Sequence, residues 1–145
     1  MNSAWTPQAT TTHQDHVIAH VLDATFLGYF VFDEALYVLL DIGFIWTIFL
    51  DGEMVLLPHP VAVGELEIEQ AAKEQIKTDI DALLDDSDAE NLWLLQLPPV
   101  PCQIKEVSFY SDGERRRLLV AGEPGDIAIE TSIATAEIVV RRSEV

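Results

Sequence analysis

The chain is 145 residues long, and its 25 Asp and Glu against 8 Lys and Arg leave a formal net charge of -17. That charge excludes nucleic acid and anionic lipid headgroups as favoured partners, because affinity for phosphates comes largely from Lys and Arg displacing counterions. The length is that of one domain, and the 49% of hydrophobic residues, gathered into runs, suffice for a core.

The first Lys or Arg is Lys73, so Met1 to Thr12 offers neither the basic start nor the apolar run of a secretory signal. The longest apolar stretch, Ala35 to Leu50, is interrupted by Asp41 and falls short of the roughly 20 residues a spanning helix needs. Cys102 is the single cysteine, which rules out an internal disulfide and suits a reducing compartment. The expectation is a cytoplasmic protein with no membrane association, no cofactor and a Cys102 that packs as a small apolar residue.

Residues 1 to 12 lack periodicity and read as a flexible tail, followed by one domain over 13 to 145. From His13 to Ala24 the polar residues His13, His16, His20 and Asp23 recur at helical spacing, with Val17, Ile18, Val21 and Leu22 opposite. Thr12 followed by Asp15 resembles a capping box. Phe26 to Leu57 is aromatic and branched, punctuated by Asp33-Glu34, Asp41 and Asp51-Gly52, and predicts a meander of antiparallel strands. Asp51-Gly52 predicts a two-residue type I′ hairpin turn. The runs Leu36 to Leu40 and Phe44 to Leu50 are apolar on both faces, as in central strands covered by a helix on one side and by something else, such as a second subunit, on the other.

Pro58 and Pro60 end the meander, and Val61, Val63, Leu66 and Ile68 alternate around Gly64 like a bulged strand. A helix is predicted from about Glu69 to Asp85, with the apolar stripe Ala72, Ile76, Ile80, Leu83 and Leu84 and with Lys73, Glu74, Lys77, Asp79 and Asp81 outside it. Leu92 to Leu97 reads as a short buried strand closed by Pro98 and Pro99. Gln103 to Tyr110, a turn at Asp112-Gly113, Arg116 to Ala121, a turn at Glu123 to Asp126, and two strand pieces within Ile127 to Val140 complete the chain. The order predicts an α+β fold, a curved and mainly antiparallel sheet of about eight or nine strands packed against two helices.

Four groups of residues carry candidate chemistry. His16, His20 and Asp23 are acceptable ligand types for a divalent ion, with His13 one turn earlier and His59 a distant fifth, although one helix makes an incomplete site and a solvated helix face explains the same pattern. Glu65 to Glu90 holds ten carboxylates against Lys73 and Lys77, which suits a basic protein partner or simple solvation, and Asp85, Asp86 and Asp88 lack the glycine and terminal Glu of a calcium loop. Arg115, Arg116, Arg117, Arg141 and Arg142 are all the arginines and could frame an anion site, pair with the excess acid or guard an edge strand. Tyr29, Phe30, Phe32, Tyr37, Phe44, Trp46 and Phe49 either line a pocket or fill the core.

No nucleophile with its base and no phosphate-binding glycine loop is present. The leading functional expectation is a non-enzymatic interaction module that self-associates as a homodimer through its apolar sheet and meets a basic protein through its acidic side. The alternative is a cupped-sheet domain, binding or weakly catalytic, with an aromatic-lined pocket for a small ligand.

Overall fold

Residues 26–58 form the meander the sequence predicts, and the hairpin turns show why. The computed structural model describes residues 5–85 and 92–143. Strands β2 (Phe26–Phe32), β3 (Ala35–Leu40), β4 (Phe44–Phe49) and β5 (Met54–Pro58) make a four-stranded antiparallel sheet in sequence order, after the short β1 (Thr6–Pro7). The β2–β3 turn is Asp33-Glu34, with both residues at positive φ (53° and 62°), so the type I′ turn lies there. Asp51-Gly52 instead belongs to the three-residue loop Leu50–Gly52, closed by Phe49 N–H donating to the Glu53 carbonyl at 2.8 Å, with Gly52 alone of the three at positive φ. A type I turn followed by a left-handed glycine uses the same dipeptide as a type I′ turn, hence the difference from expectation.

The remaining strands form a second antiparallel sheet, β1-β6-β7-β8-β9, from β6 (Cys102–Asp112), β7 (Arg115–Pro124), β8 (Ile127–Ser132) and β9 (Ile138–Arg142). The fold is α+β as expected, with the single curved sheet resolved into two. Isolated bridges at Thr25↔Gln103 and Tyr29↔Gln96 join β2 and the residue before it to β6 and the chain that leads into it. The described part of the expected tail is tied down from Thr6, which pairs with Ser111, as Pro7 does with Tyr110.

Three helices are present among the described residues. α1 (Thr12–Val21) starts one residue earlier than the sequence suggests, because Thr11 and Gln14 form the capping box: Gln14 N–H donates to Thr11 Oγ1 at 3.1 Å and Thr11 N–H to Gln14 Oε1 at 2.9 Å. α2 (His59–Gly64) replaces the predicted bulged strand. Pro60 sits in its first turn, where a missing N–H leaves no intrahelical bond unmade, and buried Ala62 and Val63 hold the turn to the core. α3 (Gln70–Asp85) follows the predicted stripe at Ile76, Ile80 and Leu83, while Leu84 is exposed and Asp79 is buried in its place. No helix among the described residues is long and apolar enough to cross a membrane.

The four-stranded sheet is the middle layer of three. Its Leu36, Val38, Leu40, Trp46, Ile48 and Met54 pack against Ile104, Phe109, Leu118, Val120, Ile127 and Ile129 of the five-stranded sheet, with Val17 and Val21 of α1 closing one side. Its opposite face buries Phe30, Leu39 and Ile45 against Ala62, Val63 and Leu66 around α2 and Ile76, Ile80 and Leu83 of α3. Burying each of these large side chains contributes roughly 1.5–3 kcal/mol, which explains why β3 and β4 read as apolar on both faces. The cover expected from a second subunit is supplied by the chain's own five-stranded sheet.

Candidate functional site

The histidine helix places its candidates apart. α1 ends at Val21, and Asp23 lies beyond it at positive φ (71°), where its carboxylate meets Lys105 Nζ at 3.1 Å. His20 Nδ1 is 2.8 Å from the His16 carbonyl, and His13 Nε2 is 2.9 Å from the Met54 carbonyl. His59 opens α2, its N–H donating to the Gly43 carbonyl at 3.1 Å. Among the described residues, no three His, Cys, Asp or Glu side chains are grouped as a metal site would require. His13, His16 and His20 instead border a shallow groove with Phe44, Val55 and Leu56.

Strand alternation sorts the arginines, sending Arg115 and Arg117 to the outer face of the five-stranded sheet and Arg116 to the other. Arg117 donates to Glu130 Oε2 from Nε at 2.9 Å and from Nη2 at 2.6 Å, and Arg141 Nη2 reaches the same oxygen at 2.6 Å. Burial alone would raise the Glu130 pKa, but the hydrogen bonds and charges of Arg117 and Arg141 hold it below the ordinary carboxylate value. The guanidinium carbons of Arg115 and Arg117 lie 4.6 and 4.7 Å from the Trp5 ring centroid. The outer sheet face is thus an acid-paired arginine network anchoring the N-terminal strand. Arg116 donates from Nη1 to the Gly113 carbonyl at 2.7 Å and borders Ile48, Phe109 and Leu118, with its Nε buried and without a hydrogen-bond partner among the described residues.

The acidic stretch divides differently from the sequence reading. Glu65, Glu67, Glu69, Glu74, Asp81 and Asp85 are exposed, whereas Asp79 is 1% exposed. The remaining three, Asp86, Asp88 and Glu90, lie outside the described residues. Asp79 accepts the backbone N–H groups of Trp93 (3.0 Å to each oxygen), Leu94 (2.6 Å) and Leu95 (3.0 Å). This clamp explains why Leu92 to Leu97 is not the strand the sequence suggests. Amides committed to Asp79 cannot enter a ladder, and among the described residues the segment's main chain pairs with the sheet only through mutual Tyr29 and Gln96 bonds at 2.9 and 2.7 Å.

The aromatic set serves both purposes. Trp46 is fully buried, its Nε1 3.5 Å from Met54 Sδ, and Phe30 stacks on Tyr37 with ring centroids 4.7 Å apart. Tyr37, Thr47, Phe49, Val55, Leu57, Ala62 and Leu66 surround a cavity of about 170 Å³ with Glu65 at its wall. A second opening, about 260 Å³, lies between β2 and α3, where Phe30, Val31, Phe32, Ile68, Ala72 and Ile76 face Leu94 and Gln96.

That second opening is where the sheet edge and the exposed apolar side chains coincide. Phe32 pairs with Ala35 across a two-residue turn, so alternation points the main-chain groups of Tyr29 and Val31 away from β3. Tyr29 spends both on Gln96, while those of Val31 meet no partner among the described residues. Val31 is 48% exposed, Leu94 40%, Leu97 52% and Trp93 70%. Asp79, the residue that holds Trp93 and Leu94 in place, has a legible signal in hindsight: it stands three residues after Ile76 and four before Leu83, on the flank of the buried arc they form with Ile80.

No protein-family model matches the chain, and neither a curated protein nor a solved structure matches it.

Proposed function

We propose that this chain is a non-enzymatic protein-interaction module whose contact surface is the cleft between β2 and α3. The observation that carries this reading is the cleft lining that includes exposed Val31 and Leu94, neighboured in sequence by exposed Trp93 and Leu97, beside a sheet edge with unspent main-chain groups. Water-facing apolar side chains clustered with a cleft mark binding surfaces more often than single exposed leucines do. Self-association through an open sheet face loses its surface, because the five-stranded sheet covers β3 and β4, and a charge of -17 opposes close approach of two copies. A basic partner suits that charge.

Panning a random peptide display library against the immobilised protein tests the reading. Enrichment that disappears with Leu94→Glu, together with amide shift changes at Val31 and Leu94, supports it. Equal enrichment on the wild type and on Leu94→Glu defeats it.

A second reading has its own observation. The cavity walled by Tyr37, Phe49 and Leu66 is about 170 Å³, near the size that holds one benzene-sized molecule. Thr47, buried in its wall, has no side-chain hydrogen-bond partner among the described residues. A small ligand with an apolar body and one polar group fits such a site. Ligand-observed fragment screening on wild type and Thr47→Val distinguishes it: hits that persist unchanged in the variant remove Thr47 from the site, and an absence of hits removes the site.

A further inference from the structure

We infer that the cleft takes its partner by strand addition, seating a short extended segment with Lys or Arg flanking an apolar side chain; this rests on the interaction-module reading above. Three features select this occupant. First, the outward N–H and C=O of Val31 offer one donor and one acceptor at strand spacing, which an extended main chain satisfies and a helix, with its bonds spent internally, does not.

Second, the cleft floor is apolar. Phe30, Phe32, Ala72 and Ile76 give an inserted side chain no hydrogen-bonding group, and the one polar side chain of the lining, Gln96, has its oxygen engaged by the Tyr29 hydroxyl at 3.3 Å, so an aliphatic or aromatic residue suits the floor. Third, the lining residues are bordered in sequence by carboxylates: Asp33 and Glu34 follow Phe32, and Glu67 and Glu69 flank Ile68. Glu34, Glu67 and Glu69 are exposed, and the nearby cation Lys73 is engaged by the Gly64 carbonyl at 2.8 Å. Alternation of an extended segment that turns one residue into the cleft turns its neighbours toward this acidic rim, which cations complement.

The edge is open only over its end. Leu95 to Leu97 already occupies the Tyr29 position through the Gln96 bridge, and Asp79 draws Leu94 away from Val31. The added strand is therefore short, extending from Val31 toward the Asp33-Glu34 turn. Gly28, beside Tyr29, leaves the room this bridge needs, since a Cβ there would stand 3.0 Å from the Gln96 carbonyl oxygen and 2.8 Å from Leu83 Cδ1 of α3.

The probe is a short capped peptide in which Lys and Val alternate, with a fluorophore at one end, titrated by fluorescence anisotropy against the full chain. Versions N-methylated at successive residues read out the main-chain pairing. Loss of about tenfold at a single residue, the one whose N–H meets the Val31 carbonyl, and little change at the others is expected, as removal of one hydrogen bond of about 1.4 kcal/mol requires. Uniform tolerance of N-methylation overturns strand addition. If Leu94→Glu still abolishes binding in that case, the interaction surface stands without it. Replacing Asp33 and Glu34 by Asn and Gln should weaken binding about three- to tenfold and flatten its salt dependence; unchanged affinity and salt response overturn the basic-flank specificity. Binding of neither the wild-type probe nor any library peptide removes both the inference and the module reading.

Discussion

Replacing Asp79 with Asn removes a charge while keeping the shape, and the structure fixes what is lost. Asp79 receives three main-chain N–H groups in four contacts of 2.6–3.0 Å. A hydrogen bond to a charged group contributes roughly 1.5–3 kcal/mol. Asn can keep its carbonyl oxygen at the Oδ2 position, which accepts from all three donors, but each bond then falls from the charged to the neutral range, a loss of about 1 kcal/mol apiece, and its NH₂ replaces the oxygen that Trp93 N–H also reaches. The segment 92–97 is exposed enough to take up water when released, which caps the loss at about 2–4 kcal/mol. For urea unfolding with a slope of about 2 kcal/mol per molar, the midpoint falls by about 1–2 M. Hydrogen exchange supplies the local readout, with the Trp93, Leu94 and Leu95 amides losing protection before those of β3 and β4. A variant whose midpoint moves by less than about 0.3 M, with these amides still protected, would show that the carboxylate does not hold the segment.

Gly52→Ala should cost about 2–4 kcal/mol, since the new Cβ would lie 2.1 Å from Phe109 Cζ at a φ of +92°; calorimetry giving a change under about 1 kcal/mol would mean the ring moves aside freely. Cys102 has its thiol pKa pushed up to about 11 by burial first and by Asp126 second. The neutral thiol therefore favours the folded state, a contribution whole below pH 9 and lost as pH rises through about 11. Denaturation midpoints of wild type and Cys102→Ala should diverge across that window, and parallel curves would contradict the assignment. Glu130→Gln should cost about 1 kcal/mol, the modest figure suited to partly exposed ion pairs. Because the Glu130 pKa is lowered, its stabilisation is present above the ordinary carboxylate value and disappears as pH falls below it; an acid-side stability curve identical in variant and wild type would refute the network's role.

Much of the fold was readable because turn and stripe signals are local. Asp33-Glu34, Asp51-Gly52 and Asp112-Gly113 all mark real hairpins, and Ile76, Ile80 and Leu83 mark the buried face of α3. Even the doubly apolar character of β3 and β4 foretold a layer on each side. The identity of the second layer was not readable, since the pairing of Leu36 and Trp46 with residues beyond Cys102 leaves no mark in either segment. The 61–68 segment misled because Val61 and Val63 alternate as strand residues do, while Pro60 and the packing of Ala62 and Val63 decide for a helix. The site was missed for a related reason. Leu92 to Leu97 is as apolar as a core strand, and only the distant carboxylate of Asp79 turns part of it outward.

The confinement of every arginine to β7 and β9 bears on how this molecule meets others. The outer sheet holds them at one end of the layered stack, and α3 with its exposed Glu74, Asp81 and Asp85 lies at the other. The body therefore carries a dipole along the stack in addition to its net charge. A cationic visitor should exert a torque that swings the helical end forward before contact, shortening the orientational search. At an ionic strength of about 0.1 M the field reaches only about 10 Å, so this alignment would operate in the last stage of approach.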